Sequence, residues 1–216
     1  MKSKLDHPQD RGAFIRAVGT LFAGMMAEKL EEALEGLGPK LLRPPGALNE
    51  LAFLTECARC GRCILACPQG TLKAATASAG LAMGTPHMVP REMPCFLCEG
   101  LPCIAACPKG ALLWPKSLTE AGERLEGAEA VRIGVAQIKK TRCLTHETPT
   151  RQAGRCRACV ERCPYPGKAI CLRVYGKSRI PQPEVLKNGC TGCGLCEYGC
   201  PAPLPGIVVG VRQGKS

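Results

Sequence analysis

Apolar residues recur at helical intervals between Arg11 and Leu37, at Phe14, Val18, Leu21, Phe22, Met25, Leu30, Leu34 and Leu37. That period predicts an amphipathic helix. Its second half is charged through Glu28, Lys29, Glu31, Glu32 and Glu35, and Gly36, Gly38 and Pro39 end it. Such a helix packs on its own protein or on a partner, and its acidic half opposes an anionic membrane surface. Downstream the elements shorten. Arg43-Pro-Pro-Gly-Ala-Leu48 reads as an extended connector, and Asn49–Cys57 as a short helix. Residues 68–94 form a spacer in which Gly80, Gly84 and Pro86 break any long element. A charged run, Ser117–Glu129, predicts a helix. Alternation over Val131–Ile138 predicts a strand, as do Ala169–Val174 and the closing Ile207–Val211. Nothing approaches the length of a transmembrane span.

Composition explains why the elements are so short. The 216 residues hold 17 cysteines, 25 glycines and 19 prolines but only 4% aromatics, so a large conventional core is out of reach and a covalent or metallic substitute is needed. Disulfides fit poorly, because the cysteine count is odd and many spacings are two residues, which suits a shared metal centre better. The formal charge of +11 suggests nucleic acid only while every cysteine is neutral. If sixteen are thiolates round four clusters, thiolates and cluster cores together contribute about −8, leaving about +3. The basic excess is then compensation for buried anionic centres.

The cysteines fall in four groups that divide the chain into two similar halves, Cys57–Cys107 and Cys143–Cys200. The first group, Cys57-x2-Cys60-x2-Cys63-x3-Cys67-Pro68, and the last, Cys190-x2-Cys193-x2-Cys196-x3-Cys200-Pro201, match the bacterial ferredoxin run. In that run the fourth cysteine ligates the neighbouring [4Fe-4S] cluster. Two-residue gaps let one loop wrap three soft thiolates round an iron–sulfide cube, with Gly61, Gly192 and Gly194 permitting the dihedrals. The second group widens one gap to Cys98-x4-Cys103. The third sets Cys143 apart, with twelve residues between it and Cys156-x2-Cys159-x3-Cys163-Pro164.

Reciprocal ligation then predicts four sets. Set one is Cys57, Cys60 and Cys63 with Cys107; set two is Cys95, Cys98 and Cys103 with Cys67. Set three is Cys143, Cys156 and Cys159 with Cys200; set four is Cys190, Cys193 and Cys196 with Cys163. Zinc would use separate pairs and has no need of the recurrent fourth-cysteine–proline. Cys171 is left over, in a strand-like run that suits a small buried thiol. His7, His87 and His146 are isolated, and Trp114 and Tyr165 read as packing residues. With sixteen thiolates saturating four clusters, no open iron remains, and no nucleotide loop, catalytic triad or carboxylate pair is present.

The chain resembles the ferredoxin-type polyferredoxins of the NapG/MauM family over nearly its whole length. The most specific features are Arg43-Pro-Pro-Gly-Ala-Leu48, Gly84-Thr-Pro86, the Cys98–Cys103 gap and the displaced Cys143. The resemblance implies four [4Fe-4S] clusters and electron transfer from a membrane quinol-oxidising partner toward a terminal reductase. Family members often carry a twin-arginine export signal. Here Asp10-Arg-Gly-Ala-Phe-Ile-Arg16 has Gly12 at the second arginine, and no small-x-small cleavage site precedes Glu28. A cytoplasmic location is therefore expected, with a membrane-associated periplasmic one as the alternative.

Together these readings predict an α+β, loop-rich protein of two tandem ferredoxin-like dicluster domains. Residues 1–48 form the N-terminal helix and connector, 49–115 the first dicluster domain, 116–142 a linker helix and strand, and 143–216 the second dicluster domain. The expected function is an electron-transfer polyferredoxin and not an enzyme, with redox proteins as partners and no nucleic acid. Rival readings are an iron–sulfur subunit of a larger molybdenum or tungsten oxidoreductase or hydrogenase and, from another class, a zinc-based nucleic-acid-binding protein.

Overall fold

A computed structural model describes residues 39–119, 122–146, 156–175 and 180–212. The amphipathic helix expected within 1–38 lies outside them. From Lys40 on, the described residues cluster as one compact unit. Its elements are short, as the scarcity of large apolar residues requires. They are helices α1 (Glu50–Glu56), α2 (Arg62–Leu65), α3 (Pro102–Ala105), α4 (Ala158–Glu161) and α5 (Leu195–Tyr198). The strands are β1 (Leu72–Ala74), β2 (Pro86–Met88), β3 (Lys116–Leu118), β4 (Arg124–Glu126), β5 (Gly134–Ile138), β6 (Ile170–Arg173), β7 (Gln182–Val185) and β8 (Ile207–Val211).

The strands form four antiparallel two-stranded ribbons, β1–β2, β3–β4, β5–β8 and β6–β7. Each half repeats one plan. In the first, α2 packs on α3, with the β1–β2 ribbon between them in the chain; in the second, α4 packs on α5, with β6–β7 between. Two-stranded ribbons are marginal alone. Here β1–β2, β5–β8 and β6–β7 lie on a core in which cysteines sit among Phe53, Leu101, Val131 and Ile207, while β3–β4 is largely exposed. The architecture is mixed α and β and loop-rich, as expected. Among the described residues no helix is long and apolar enough to cross a membrane.

The connector motif has a defined task. Arg43 is buried, stacks over the Phe53 ring at 4.8 Å, and donates through Nε to Glu50 Oε2 at 2.9 Å. Its Nη1 reaches Thr85 Oγ1 at 2.8 Å and the Pro86 carbonyl at 3.1 Å. One guanidinium therefore ties together the connector, α1 and the Gly84-Thr-Pro86 segment, where a planar five-donor group has no equal. Gly46, at φ +72°, brings its carbonyl to the Leu113 N–H at 2.7 Å, and a Cβ there would lie 1.9 Å from the Leu113 oxygen.

Over Ser117–Glu129 the structure departs from the expected helix. The segment is the β3–β4 hairpin followed by a 3-10 turn over Gly127–Ala130. Gly122, at φ +82°, and the Thr119 hydroxyl, which accepts from the Glu123 N–H at 3.0 Å, close the turn. Charge density had looked helical, but turn chemistry within so short a run favours a hairpin. Asn49 caps α1 through Oδ1, which accepts from the Ala52 N–H at 2.9 Å.

Candidate iron–sulfur centres

Set one assembles where α1 ends. Cys57 is the residue following α1, and the loop from it to α2 turns through left-handed Arg59 (φ +54°) and Gly61 (φ +72°). Cys63 sits on α2, and Cys107 arrives after α3. All four thiols line one cavity, closed beneath by Phe53, Pro86 and Leu112. Burial, with repulsion from Cys107 and Cys57, pushes the Cys63 thiol up to about 11.

Set four lines a second cavity, with Cys163, Cys190, Cys193 and Cys196 over a floor of Ala136, Ile170, Val185 and Val209. The Ala136 N–H points at Cys190 Sγ, 3.5 Å away. Gly192 and Gly194 have φ of +74° and +88°, and a Cβ on Gly192 would lie 2.3 Å from the Gly134 nitrogen. Burial raises the Cys196 thiol strongly, reinforced by repulsion from Cys193 and Cys190. Burial also raises Cys163, offset in part by the Tyr165 N–H.

Set two contains the widened gap. The extra residues make a turn in which the Leu101 N–H donates to the Cys98 carbonyl at 3.1 Å. Leu101 then precedes α3 in the left-handed region, at φ +40°, while its side chain is 1% exposed. Gly61 and Gly194 hold the same place before α2 and α5. A bulky residue there costs roughly 1–2 kcal/mol of backbone strain, and burying a leucine returns about 2 kcal/mol. The insertion thus converts a loop glycine into a core residue. Cys95 is pushed up to about 12, mainly by burial and partly by repulsion from Cys103 and Cys193. Cys103 rises to about 11, by burial and then by its proximity to Cys67. Cys67 behaves oppositely. Burial would raise it, but the backbone N–H groups of Thr71, Gln69 and Leu72 and the Thr71 hydroxyl bring it below the ordinary thiol value. That is a nest of donors round a sulfur.

Set three gathers from a wide span. Cys159 is pushed up to about 12, first by burial and then by Cys143, Cys156 and Cys200 beside it. The Gly206 N–H donates to Cys200 Sγ at 3.3 Å, and a Cβ on Gly206 would meet the Cys143 Cα at 2.6 Å. Cys143 Sγ lies 3.2 Å from Thr145 Oγ1, which in turn is 3.3 Å from His146 Nδ1. His146 therefore stands one hydroxyl away from a thiol. Burial, then Lys140, lowers its pKa.

Four thiols round a cavity, with N–H groups aimed at sulfur, form the donor chemistry of a cubane cluster. Crowded, buried thiols keep their protons until a cationic core displaces them, so cluster binding and deprotonation are coupled. Cys171 joins no set. It lies half-exposed on β6 opposite Glu184, and so is less buried than expected. His87 pairs its Nδ1 with the Lys73 carbonyl at 3.0 Å, and Trp114 packs against Gly127. His7 lies outside the described residues. Thr145 and Leu101 had no signal in the spacing alone; a threonine two residues from a ligand would have been the clue.

A 4Fe-4S dicluster domain model matches residues 56–111, and a 4Fe-4S binding domain model matches residues 187–203. The ferredoxin-type protein NapG of Escherichia coli (strain K12) is 38% identical over 201 residues, covering 90% of this chain and 81% of its own. The chain belongs to the NapG/MauM family of ferredoxin-type proteins. The methylamine utilization ferredoxin-type protein MauM of Paracoccus denitrificans (strain Pd 1222) is 38% identical over 190 residues, 86% of this chain and 78% of its own. The ferredoxin-type protein NapF of E. coli (strain K12) is 31% identical, covering 82% of this chain and 88% of its own. No solved structure matches. As a NapG/MauM protein the chain is a 4Fe-4S, ferredoxin-type electron carrier and not a catalyst.

Proposed function

We propose that this protein relays single electrons between a redox donor and a terminal redox enzyme by means of four [4Fe-4S] clusters held by the four sets. The observation that carries this is the convergence of Cys57, Cys60, Cys63 and Cys107 on one cavity and of Cys163, Cys190, Cys193 and Cys196 on another. In each, a cysteine from a distant motif joins a local triplet, as reciprocal ligation requires. When bound, the clusters supply one-electron redox centres. The chain holds their sulfur ligands and donates N–H groups to those sulfurs.

A membrane quinol-oxidising protein as donor and a terminal reductase as acceptor remain the family-based expectation. Exposed Leu65, Leu81 and Met83 near set one favour a protein partner docked there, and co-purification with a catalytic subunit would separate an obligate subunit from a free shuttle. The broken twin-arginine-like run supports a cytoplasmic place, which cell fractionation tests. The function itself is tested by anaerobic reductive titration of the fully loaded protein. Uptake of about four electrons per chain is expected. Fewer than three at full iron loading would overturn the relay. For the ligand scheme, Cys107→Ser should alter the signal of the set-one cluster; a change confined to set two would refute it.

A further inference from the structure

We infer that the four sets stand in single file in the order one, two, four, three, so that sets one and three are the terminal centres. This rests on the four-cluster reading and adds to it an order that differs from the order along the chain. Within each half the neighbours are fixed covalently. Cys63 of set one and Cys67 of set two bracket the end of α2, and Cys103 and Cys107 do the same at α3, with α2 packed on α3. Cys159 and Cys163 at α4, and Cys196 and Cys200 at α5, join sets three and four in the same way.

What remains is which member of each pair meets the other half, and the backbone decides this. The Cys95 N–H donates to the Cys193 carbonyl at 2.8 Å, which places a set-two ligand directly on a set-four ligand. Beside this contact Gly194 lies against Pro90, where a Cβ would be 2.5 Å from the proline Cβ. Arg91 fastens the C-terminal end of α5 beside this contact, since its Nη1 donates to the carbonyls of Glu197 and of the set-three ligand Cys200, both at 3.0 Å. A bonded contact between sets two and four puts them inside the file.

Burial follows the same order. Each inner set has two buried thiols, Cys95 and Cys103 in set two and Cys190 and Cys193 in set four, beside half-buried Cys67, Cys98, Cys163 and Cys196. Set three contributes only half-buried thiols, and set one contributes exposed Cys60, half-buried Cys57 and Cys107, and one buried thiol, Cys63. Water and partner proteins therefore reach the ends of the file before its middle. Electron exchange with a partner falls steeply with distance, so the accessible ends are where exchange occurs.

The test is pulsed EPR on dithionite-reduced holoprotein whose iron and sulfide have first been counted. Cys60→Ser, which removes a terminal centre, should leave three centres in a continuous chain of dipolar couplings. Cys98→Ser, which removes an inner one, should leave one magnetically isolated centre and one coupled pair. Three mutually connected centres in Cys98→Ser would overturn the order. If Cys98→Ser fails to load, Arg91→Ala decides with every ligand present. It should weaken the coupling between sets two and four and leave the couplings within each half unchanged, whereas weakening only within a half would overturn the order. An iron count well below four clusters would instead sink the proposed function. A full count with the wrong couplings would sink only the order.

Discussion

Replacing Thr145 with valine should lower the reduction potential of the set-three centre and of no other. The side chain is buried, and its oxygen sits 3.2 Å from Cys143 Sγ and 3.3 Å from His146 Nδ1. A ligating thiolate can only accept, so the hydroxyl proton points at sulfur and His146 must donate from Nδ1. The lowered pKa of His146 favours the neutral imidazole, and the bond to Thr145 Oγ1 selects its Nδ1–H tautomer. A hydrogen bond to sulfur stabilises the reduced, more negative centre more than the oxidised one. Its loss is worth about 1 kcal/mol, which for a one-electron couple is about 40 mV. Valine keeps the volume, so packing is preserved. EPR-monitored redox titration should show one of the four centres moving down by about that amount. An unchanged or raised potential would refute the donor assignment.

Gly46→Ala should cost about 3 kcal/mol, because its Cβ would lie 1.9 Å from the Leu113 oxygen at a positive φ; the thermal midpoint for loss of visible absorbance reports it. Glu197 is buried and its carboxyl is held above the ordinary range by that burial, against the Val209 N–H and Arg91. Its protonated form therefore favours the fold below about pH 4, and this contribution is lost as pH rises through the folded-state pKa. Glu197→Gln should accordingly gain stability over the native protein as pH goes from 5 to 8, and a gain that shrinks with rising pH would contradict this. Cys171→Ala should leave iron content and all four redox signals unchanged, since this residue belongs to no set.

The cysteine groups behind the proposed ligand sets could be read from the sequence because their information is local. A triplet spaced by two residues forms one loop, and a proline after the fourth cysteine ends its short helix, so Cys57–Pro68 and Cys190–Pro201 carry their geometry in about a dozen residues each. The reciprocal scheme proposed for them needs one general rule and no distances. The hairpin at Ser117–Glu129 was hidden because its charges mask a two-residue alternation only three residues long on each side. The junction of Pro90, Arg91 and Cys95 with Cys193 and Gly194 was illegible for a different reason. It joins segments about a hundred residues apart, and the acceptors are all backbone carbonyls, which carry no residue signature. The Cys98–Cys103 gap was visible as an irregularity, but its physical meaning was not. Only the structure shows Leu101 taking the left-handed place of a glycine while filling the core. The Arg43 motif was likewise recognisable by resemblance, and its bonds to Glu50, Thr85 and Pro86 supply the reason.

The central claim, four clusters on sixteen cysteines, is met most directly by counting metal and acid-labile sulfide in anaerobically purified full-length protein. The account predicts a brown protein with about sixteen irons and about sixteen sulfides per chain, bleached by dithionite and carrying no stoichiometric zinc. Colourless protein holding zinc, or about eight irons with the sixteen assigned cysteines intact, would contradict it.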